Sequence, residues 1–304
     1  MKLIKPSYEI LEQESGLDGM YKQIEKVGRT CYKSEDKITK DSAKPFVDRM
    51  ASSKHYAMLE HGTIYLTIPY YEIMYYVDPQ NPYDRQVMCN PWTKYVVDYT
   101  NDLVYVSSNY RWIAENKLDE WLKYACEPTQ FHERRICVKF TCDRGVSHEF
   151  VRHRVFSFAQ ESTRYCNYSK DKFDNELTFI IPTWTADLKD GQYTRNDSGI
   201  YRDNDIEIDH HNTSDASWKF VNSMLMSEHL YKTFLDYGWK AQEARNILPN
   251  ALKTELVMTG FASDWKHFFD LRAYGVTGKP HPQASELAVP LLNEFIEKYL
   301  HGVR

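Results

Sequence analysis

Between residues 134 and 164 the sequence sets six arginines (Arg134, Arg135, Arg144, Arg152, Arg154, Arg164) against three acids (Asp143, Glu149, Glu161), in a chain whose formal charge is -5. The centre is SHEFVRHRVFSFAQESTRY, residues 147–165, where Arg and His alternate with bulky apolar residues before giving way to Gln160, Glu161, Ser162, Thr163 and Arg164. The planar fork of arginine binds phosphate or carboxylate oxygens in pairs, which a lysine point charge does not. The chemistry suggested is local capture of an anion. Surface ion pairing is the alternative for any such cluster.

Two other chemistries are tested by spacing. His148-Glu149 followed at a distance by His153 resembles a zinc-binding helix, but positions i and i+5 lie about 140° apart and cannot share a face, so no metal is expected. No Gly-x-Ser-x-Gly elbow surrounds Ser147, Ser157 or Ser162, which argues against a serine hydrolase. Two further arginines stand where an apolar residue is expected. In the helix from Asp264, residues Trp265, Phe268 and Phe269 trace a stripe whose next position is Arg272. In KAQEARNILP, Arg245 lies about 40° from Ala241, on the side expected to be buried. A buried guanidinium needs an anion from the protein or a ligand, unless it snorkels to solvent.

The elements that must position these residues follow from periodicity. Alternation predicts strands in TIYLTIPY (63–70), RICVKFTC (135–142), LTFIIP (177–182) and from Leu103. Helical spacing predicts helices over 41–52, 112–125 and 214–237, the last stopped by Gly238. A C-terminal apolar series from Leu287 to Tyr299 predicts a core or interface helix, kinked or started by Pro290. Residues 71–102 and 183–212 read as two insertions forming surface loops or hairpins. The expected fold is α+β, one catalytic domain over residues 1–304 with a mixed sheet, helices and these two surface insertions.

The string RHRVFSFAQES, Arg152 to Ser162, with Thr163-Arg164-Tyr165 after it, resembles the signature of flavin-dependent thymidylate synthases: Arg-His-Arg, then seven residues, then Ser. RTCY at Arg29, HYAMLEH from His55, EARNILP around Arg245 and WKHFFDLR ending at Arg272 follow in the family's order. The resemblance implies reductive methylation of dUMP to dTMP, with methylenetetrahydrofolate as carbon donor and NADPH as reductant through FAD. It places FAD against Arg152, His153 and Arg154, with His55, Ala57, Glu60, Gln160, Phe261, Ser263 and His267. It places dUMP at Glu149, Arg152, Gln160, Glu161, Ser162, Thr163, Arg164, Arg245 and Arg272. Arg272 is the implied catalytic residue, stabilising ionisation at uracil N3, and the implied assembly is a homotetramer sharing its sites. Where many members carry Asn-x-Arg this chain has Phe261-Ala262-Ser263, so Phe261 would stack on the flavin instead. Glu149 replaces a frequent Gln and is expected to face an arginine or the uracil edge.

The remaining composition bounds the choice. None of the six cysteines has a neighbouring His, so uracil activation must be electrostatic, and Ser162, with no adjacent base, reads as a binding residue. The cysteines form no Cys-x-x-Cys pair and are expected to be reduced thiols. No run of about 18 apolar residues suggests a membrane span, the acidic N-terminus suggests no signal peptide, and the cytoplasm is the expected location. A net acidic chain argues against general nucleic-acid binding. A non-catalytic nucleotide binder and a different flavin reductase are the competing readings.

Overall fold

The computed structural model describes residues 1–78, 87–209 and 211–299. The strands are β1 (Lys2–Ile4), β2 (Ser7–Ile10), β3 (Thr63–Pro69), β4 (Lys94–Asp98), β5 (Leu103–Asn109), β6 (Arg135–Asp143), β7 (Ser157–Gln160), β8 (Thr178–Ile180), β9 (Gly191–Asn196), β10 (Gly199–Arg202), β11 (Ile206–Glu207) and β12 (Lys253–Phe261). The helices are α1 (Gly16–Tyr32), α2 (Ala43–Ser52), α3 (Tyr56–Leu59), α4 (Tyr70–Val77), α5 (Tyr110–Asn116), α6 (Arg144–Phe150), α7 (Asp215–Asp236), α8 (Ala241–Ala244), α9 (Ala262–Phe269) and α10 (Pro282–Tyr299). The architecture is mixed α+β, with three sheets ordered β2-β6-β12-β7, β3-β5-β4 and β11-β10-β9-β1-β8. The pair β1 and β8 is parallel, with Leu3 opposite Phe179.

The four-stranded sheet carries the arginine-rich segment. In β6, alternate residues Ile136, Val138, Phe140 and Cys142 turn to one face, where they meet Phe150 of α6, Trp265 and Phe268 of α9, and Leu287, Leu291 and Phe295 of α10. Cys137 turns to the other face and packs with Val27 and Cys31 of α1. This strict alternation is what a sheet covered on both sides requires. Pro290 lies inside α10 and does not start it. The other two sheets have separate cores, one beneath α1, α2 and α5, the other beneath α7.

Helix α7 begins where Ser214 accepts a hydrogen bond from Ser217 N and ends at Gly238, whose φ of +88° suits glycine. The expected helix over 112–125 is instead broken. α5 starts earlier, capped by the Asn109 side chain, and stops at Lys117 in the left-handed region (φ 56°), after which Asp119–Tyr124 forms a separate 3-10 turn. The two pieces bring Trp112 and Trp121 together at 5.7 Å, so tertiary packing overrides the continuous helical pattern. Residues 71–102 are also more ordered than loops: they supply most of α4 and all of β4, while 79–86 fall outside the described residues. Residues 183–212 contain the β9–β10 hairpin, but it is built into the five-stranded sheet, with Tyr193 fully buried. Among the described residues no helix is long and apolar enough to cross a membrane.

Close approach fixes one glycine in β12. A Cβ on Gly260 would lie 2.5 Å from Phe156 Cδ1, and Phe156 packs edge-on against Trp265 with ring centroids 4.7 Å apart. Gly260→Ala should lower unfolding stability by about 1–3 kcal/mol, the usual range for overpacking. A reduced urea midpoint checks this, and an unchanged midpoint would show that Phe156 moves aside freely.

Candidate functional site

The arginine-rich loop is launched by a buried cap. Asp143 Oδ1 accepts from Val146 N at 2.7 Å, starting α6, and Asp143 Oδ2 accepts from Gln283 Nε2 of α10 at 2.6 Å. Burial pushes the Asp143 carboxyl up from its ordinary range. The chain then turns on backbone bonds from Arg152 N to Glu149 O and from Phe156 N to His153 O, and enters β7 beside β12. The turn puts Arg152 and Arg154 on the surface and His153 inside. Neither exposed guanidinium has a side-chain partner among the described residues.

His153 is 6% exposed and lies 5.1 Å from the Phe268 ring centroid. Its Nε2 accepts from Arg272 Nε at 3.2 Å, while Arg272 Nη1 donates to Glu149 Oε2 and Arg272 Nη2 to Glu149 O at 3.0 Å. An imidazole that accepts at Nε2 must carry its proton on Nδ1 or none of this geometry holds. Burial, then the charge of Arg272 and then His267 hold the His153 pKa down at about 4, so the ring is neutral near pH 7. Glu149 therefore faces an arginine, as expected for a carboxylate replacing Gln. The fork of Arg272 is held on three nitrogens, and its side chain is 18% exposed.

The hold on Arg272 differs from the one expected from sequence. After α9 the chain widens into a π-helical turn, Asp270–Tyr274, ending at Gly275 with φ +68°. The extra residue per turn carries Arg272 off the α-helical stripe of Trp265, Phe268 and Phe269, so Glu149 and His153 fix it instead of those rings. Arg245 is also displaced from expectation. Helix α8 ends at Ala244 and a tighter 3-10 turn leaves Arg245 exposed, with Nη1 donating to Thr163 Oγ1 at 3.3 Å.

The second half of the motif is tied to a buried charge ladder. Glu161 is 2% exposed; its Oε1 accepts from the Tyr168 hydroxyl at 2.9 Å and its Oε2 pairs with Lys253 at 2.8 Å. Lys253 also meets Glu255 at 3.1 Å, which pairs with Lys33 at 2.9 Å. Although burial opposes it, the two lysines hold the Glu255 carboxyl down at about 2. Both oxygens of Glu161 are thus engaged, which suits a residue that supports the loop better than one that contacts a ligand. Gln160 is likewise occupied, donating to Ser147 Oγ at 2.9 Å and Thr254 Oγ1 at 3.2 Å. Ser162 N donates to Cys31 O at 3.0 Å, and Ser162 Oγ accepts from Arg164 N at 3.3 Å. Thr163 is buried, whereas Arg164 is exposed and lies over the Tyr165 ring at 5.2 Å.

The other expected cofactor residues fall in two more places. His55 and Ala57 are exposed at α3, and buried Glu60 pairs with Arg111 at 2.6 Å. Phe261 is 1% exposed, with Lys94 4.4 Å and Arg135 5.4 Å from its ring centroid. Stacking of Phe261 on a flavin is therefore overturned: two cations already take the ring, inside the protein. Ser263 is surface-exposed, its Oγ accepting from Lys94 at 2.7 Å and its N donating to Glu133 at 3.1 Å. His267 is exposed and 5.9 Å from His153 by ring centroid. The chain thus joins Glu149, His153, Arg272 and His267, and separately Thr163 with Arg245, while among the described residues no hydrogen bond or ion pair runs from these side chains to those of His55, Glu60 or Phe261. Sequence reasoning missed Lys253, Tyr168 and Arg111. For Lys253 a signal existed, since Lys253 and Glu255 share one face of a strand whose following positions are apolar.

The family of thymidylate synthase complementing proteins matches residues 98–299. A flavin-dependent thymidylate synthase of Pyrococcus furiosus is 31% identical over 157 residues, 52% of each chain. One from Thermococcus kodakarensis is 36% identical over 132 residues, 43% of each chain. The chain spans about half the length of the curated relatives it matches. A UMP/dUMP methylase, PolB of Streptomyces cacaoi, superposes with a TM-score of 0.43 at 15% identity, covering 98% of this chain and 93% of that one.

The clamp predicts a pH response. Because the folded His153 pKa of about 4 lies below its ordinary 6.5, the unfolded chain binds the extra proton first. Its contribution to stability is present above pH 6.5 and is lost as pH falls toward 4. An NMR titration of the imidazole should show a neutral ring down to about pH 5, and Arg272→Met should raise its pKa. A ring titrating near 6.5 in the native protein would contradict the buried clamp.

Proposed function

The chain belongs to the thymidylate synthase complementing protein family, and from that premise we propose that it is a flavin-dependent thymidylate synthase. The reaction is the reductive methylation of dUMP to dTMP, with methylenetetrahydrofolate as carbon donor, NADPH as reductant and FAD as cofactor. The observation that carries the reading is a guanidinium held on three nitrogens by Glu149 and a neutral His153, with two neighbouring arginines in sequence whose forks have no side-chain partner among the described residues. The chain acts as one catalytic domain, in the cytoplasm, and as a homotetramer that gathers the separated His55 and Arg272 regions into shared sites.

Arg152 and Arg154 suit the diphosphate of FAD, because both are exposed and bring charge without a competing carboxylate. His55, Ala57 and His267, all exposed, complete that surface. When bound, the flavin supplies hydride chemistry that no side chain has. Ser162, Arg164 and Arg245 hold the nucleotide, with Thr163 orienting Arg245 and Glu161 and Gln160 fixing the loop from beneath. Arg272 directs its remaining N–H groups at the uracil edge and stabilises negative charge developing at N3, which raises electron density at C5. No cysteine nucleophile is required. A preorganised cation costs no reorganisation when the charge appears, and Glu149 and His153 supply that preorganisation.

Two outcomes are expected. Arg152→Ala and Arg154→Ala should each weaken FAD binding by about 1.5–3 kcal/mol, the worth of a charge-assisted hydrogen bond; full flavin occupancy in both at low flavin concentration would remove the motif from the cofactor site. Arg272→Lys should slow oxidation of pre-reduced flavin by dUMP and methylenetetrahydrofolate on the order of 100-fold, since a mobile point charge cannot reproduce the fixed fork. Flavin binding should be kept. A near-normal single-turnover rate would mean that Arg272 only balances Glu149.

A further inference from the structure

Negative charge at uracil N3 requires that the N3 proton pass to a base, and Arg272 is not one, because a guanidinium stays protonated in proteins and accepts nothing. The cluster around Arg272 contains three groups able to take a proton: His153, His267 and Glu149.

His153 is excluded by its bonding. Its Nε2 lone pair is spent on Arg272 Nε at 3.2 Å, which leaves the ring proton on its other nitrogen. Burial, then the Arg272 charge, hold its pKa down at about 4, so a second proton on this ring is costly. His267 meets the His153 ring at 5.9 Å between centroids and makes no hydrogen bond to Arg272 among the described residues.

Glu149 differs from both. Its Oε2 accepts from Arg272 Nη1 and its backbone oxygen from Arg272 Nη2 at 3.0 Å, whereas Oε1 takes no hydrogen bond or ion pair among the described residues. The side chain is 33% exposed, which leaves it open to an entering ring. Each Nη of Arg272 also retains one N–H beyond these bonds. A free anionic acceptor and free donors thus stand on one ion pair. The uracil edge is their complement, since its N3–H donor lies between two carbonyl acceptors.

We propose, resting on the thymidylate synthase reading, that Glu149 Oε1 is the general base that takes the N3 proton of the bound uracil. The N3–H bond breaks and an Oε1–H bond forms. The electron pair left on N3 spreads over the ring carbonyls and C5, and no oxidant or reductant enters the step. Arg272 exchanges one anionic partner for another, facing the carboxylate before the transfer and the uracil anion after it, so the net charge of the cluster is unchanged. The clamp survives that exchange because its other two bonds, to His153 Nε2 and to the Glu149 backbone oxygen, do not depend on the carboxylate charge.

The test uses 5-fluoro-dUMP, whose electron-withdrawing fluorine acidifies N3, titrated into the FAD-loaded chain near neutral pH. The ultraviolet difference spectrum reports the ring anion, and calorimetry in two buffers of unlike ionisation enthalpy counts the protons released. In the wild-type chain the bound ring should be anionic with almost no proton reaching the buffer, because Glu149 keeps it. Glutamine retains an oxygen for Arg272 but cannot take up a proton. In Glu149→Gln the bound ring should therefore stay neutral, or release about one proton for each anion formed; the difference between the two proteins cancels any contribution from the phosphate. Single-turnover oxidation of pre-reduced flavin by dUMP and methylenetetrahydrofolate should slow on the order of 100-fold in Glu149→Gln, the low end for loss of a general base, and recover in part in Glu149→Asp. The wild-type measurement decides the matter even if Glu149→Gln does not fold. A neutral bound ring in the wild-type chain, an anion formed there with release of a full proton, or loss of both signals in His267→Gln but not in Glu149→Gln would each overturn the proposal and leave the thymidylate synthase reading standing. Failure of the FAD-loaded chain to bind the nucleotide would sink both.

Discussion

The constraint on which the site depends is the clamp that holds Arg272 between the Glu149 carboxylate and the lone pair of a buried, neutral His153. A cation in that position is tolerable only because Glu149 offers both its carboxylate and its backbone carbonyl. Glu149 is placed by α6, whose first turn hangs on Asp143, and Asp143 is tied to α10 through Gln283. His153 is kept neutral by the aromatic wall that α9 builds from Phe268 outward. The π-helical turn after α9 then brings Arg272 to both partners. One guanidinium thus registers three helices and the loop between α6 and β7.

A second electrostatic structure supports the other half of the motif. The ladder from Lys33 through Glu255 and Lys253 to Glu161 and Tyr168 joins the end of α1, the start of β12 and the loop after β7. Each carboxylate has a lysine and each lysine two acids, so the buried charges offset one another. The loop carrying Ser162 and Arg164 is fixed from below, while Arg164, Arg152 and Arg154 keep their charges at the surface. Anchored acids inside and surface arginines outside give a positive local field within a net negative chain.

Much of this was legible in the sequence. Alternation located β3, β5 and β6 to within a residue or two, because each is covered by core on at least one face and period two leaves no freedom. Helix α7 was readable from its stripe and from Gly238. The failures share a cause: extrapolation at fixed pitch beyond the point where the helix changes. Lys117 breaks one helix by turning left-handed, a π turn shifts Arg272, and a 3-10 turn exposes Arg245. Those changes depend on tertiary contacts, such as Trp112 with Trp121 or Arg272 with Glu149, which no local pattern encodes. Phe261 was misplaced for another reason. An aromatic beside a site suits stacking on a ligand as well as burial under Lys94 and Arg135, and only the fold separates the two.

The arginine-rich motif itself was readable because its arginines contradict the charge of the chain around them. What they act upon is decided most directly by release of tritium from dUMP labelled at C5. With FAD, NADPH and methylenetetrahydrofolate present, the full chain should release tritium as dTMP forms, and omission of the folate should stop dTMP formation. A folded protein that holds FAD and dUMP yet forms no dTMP under those conditions would contradict the assignment of this site to thymidylate synthesis.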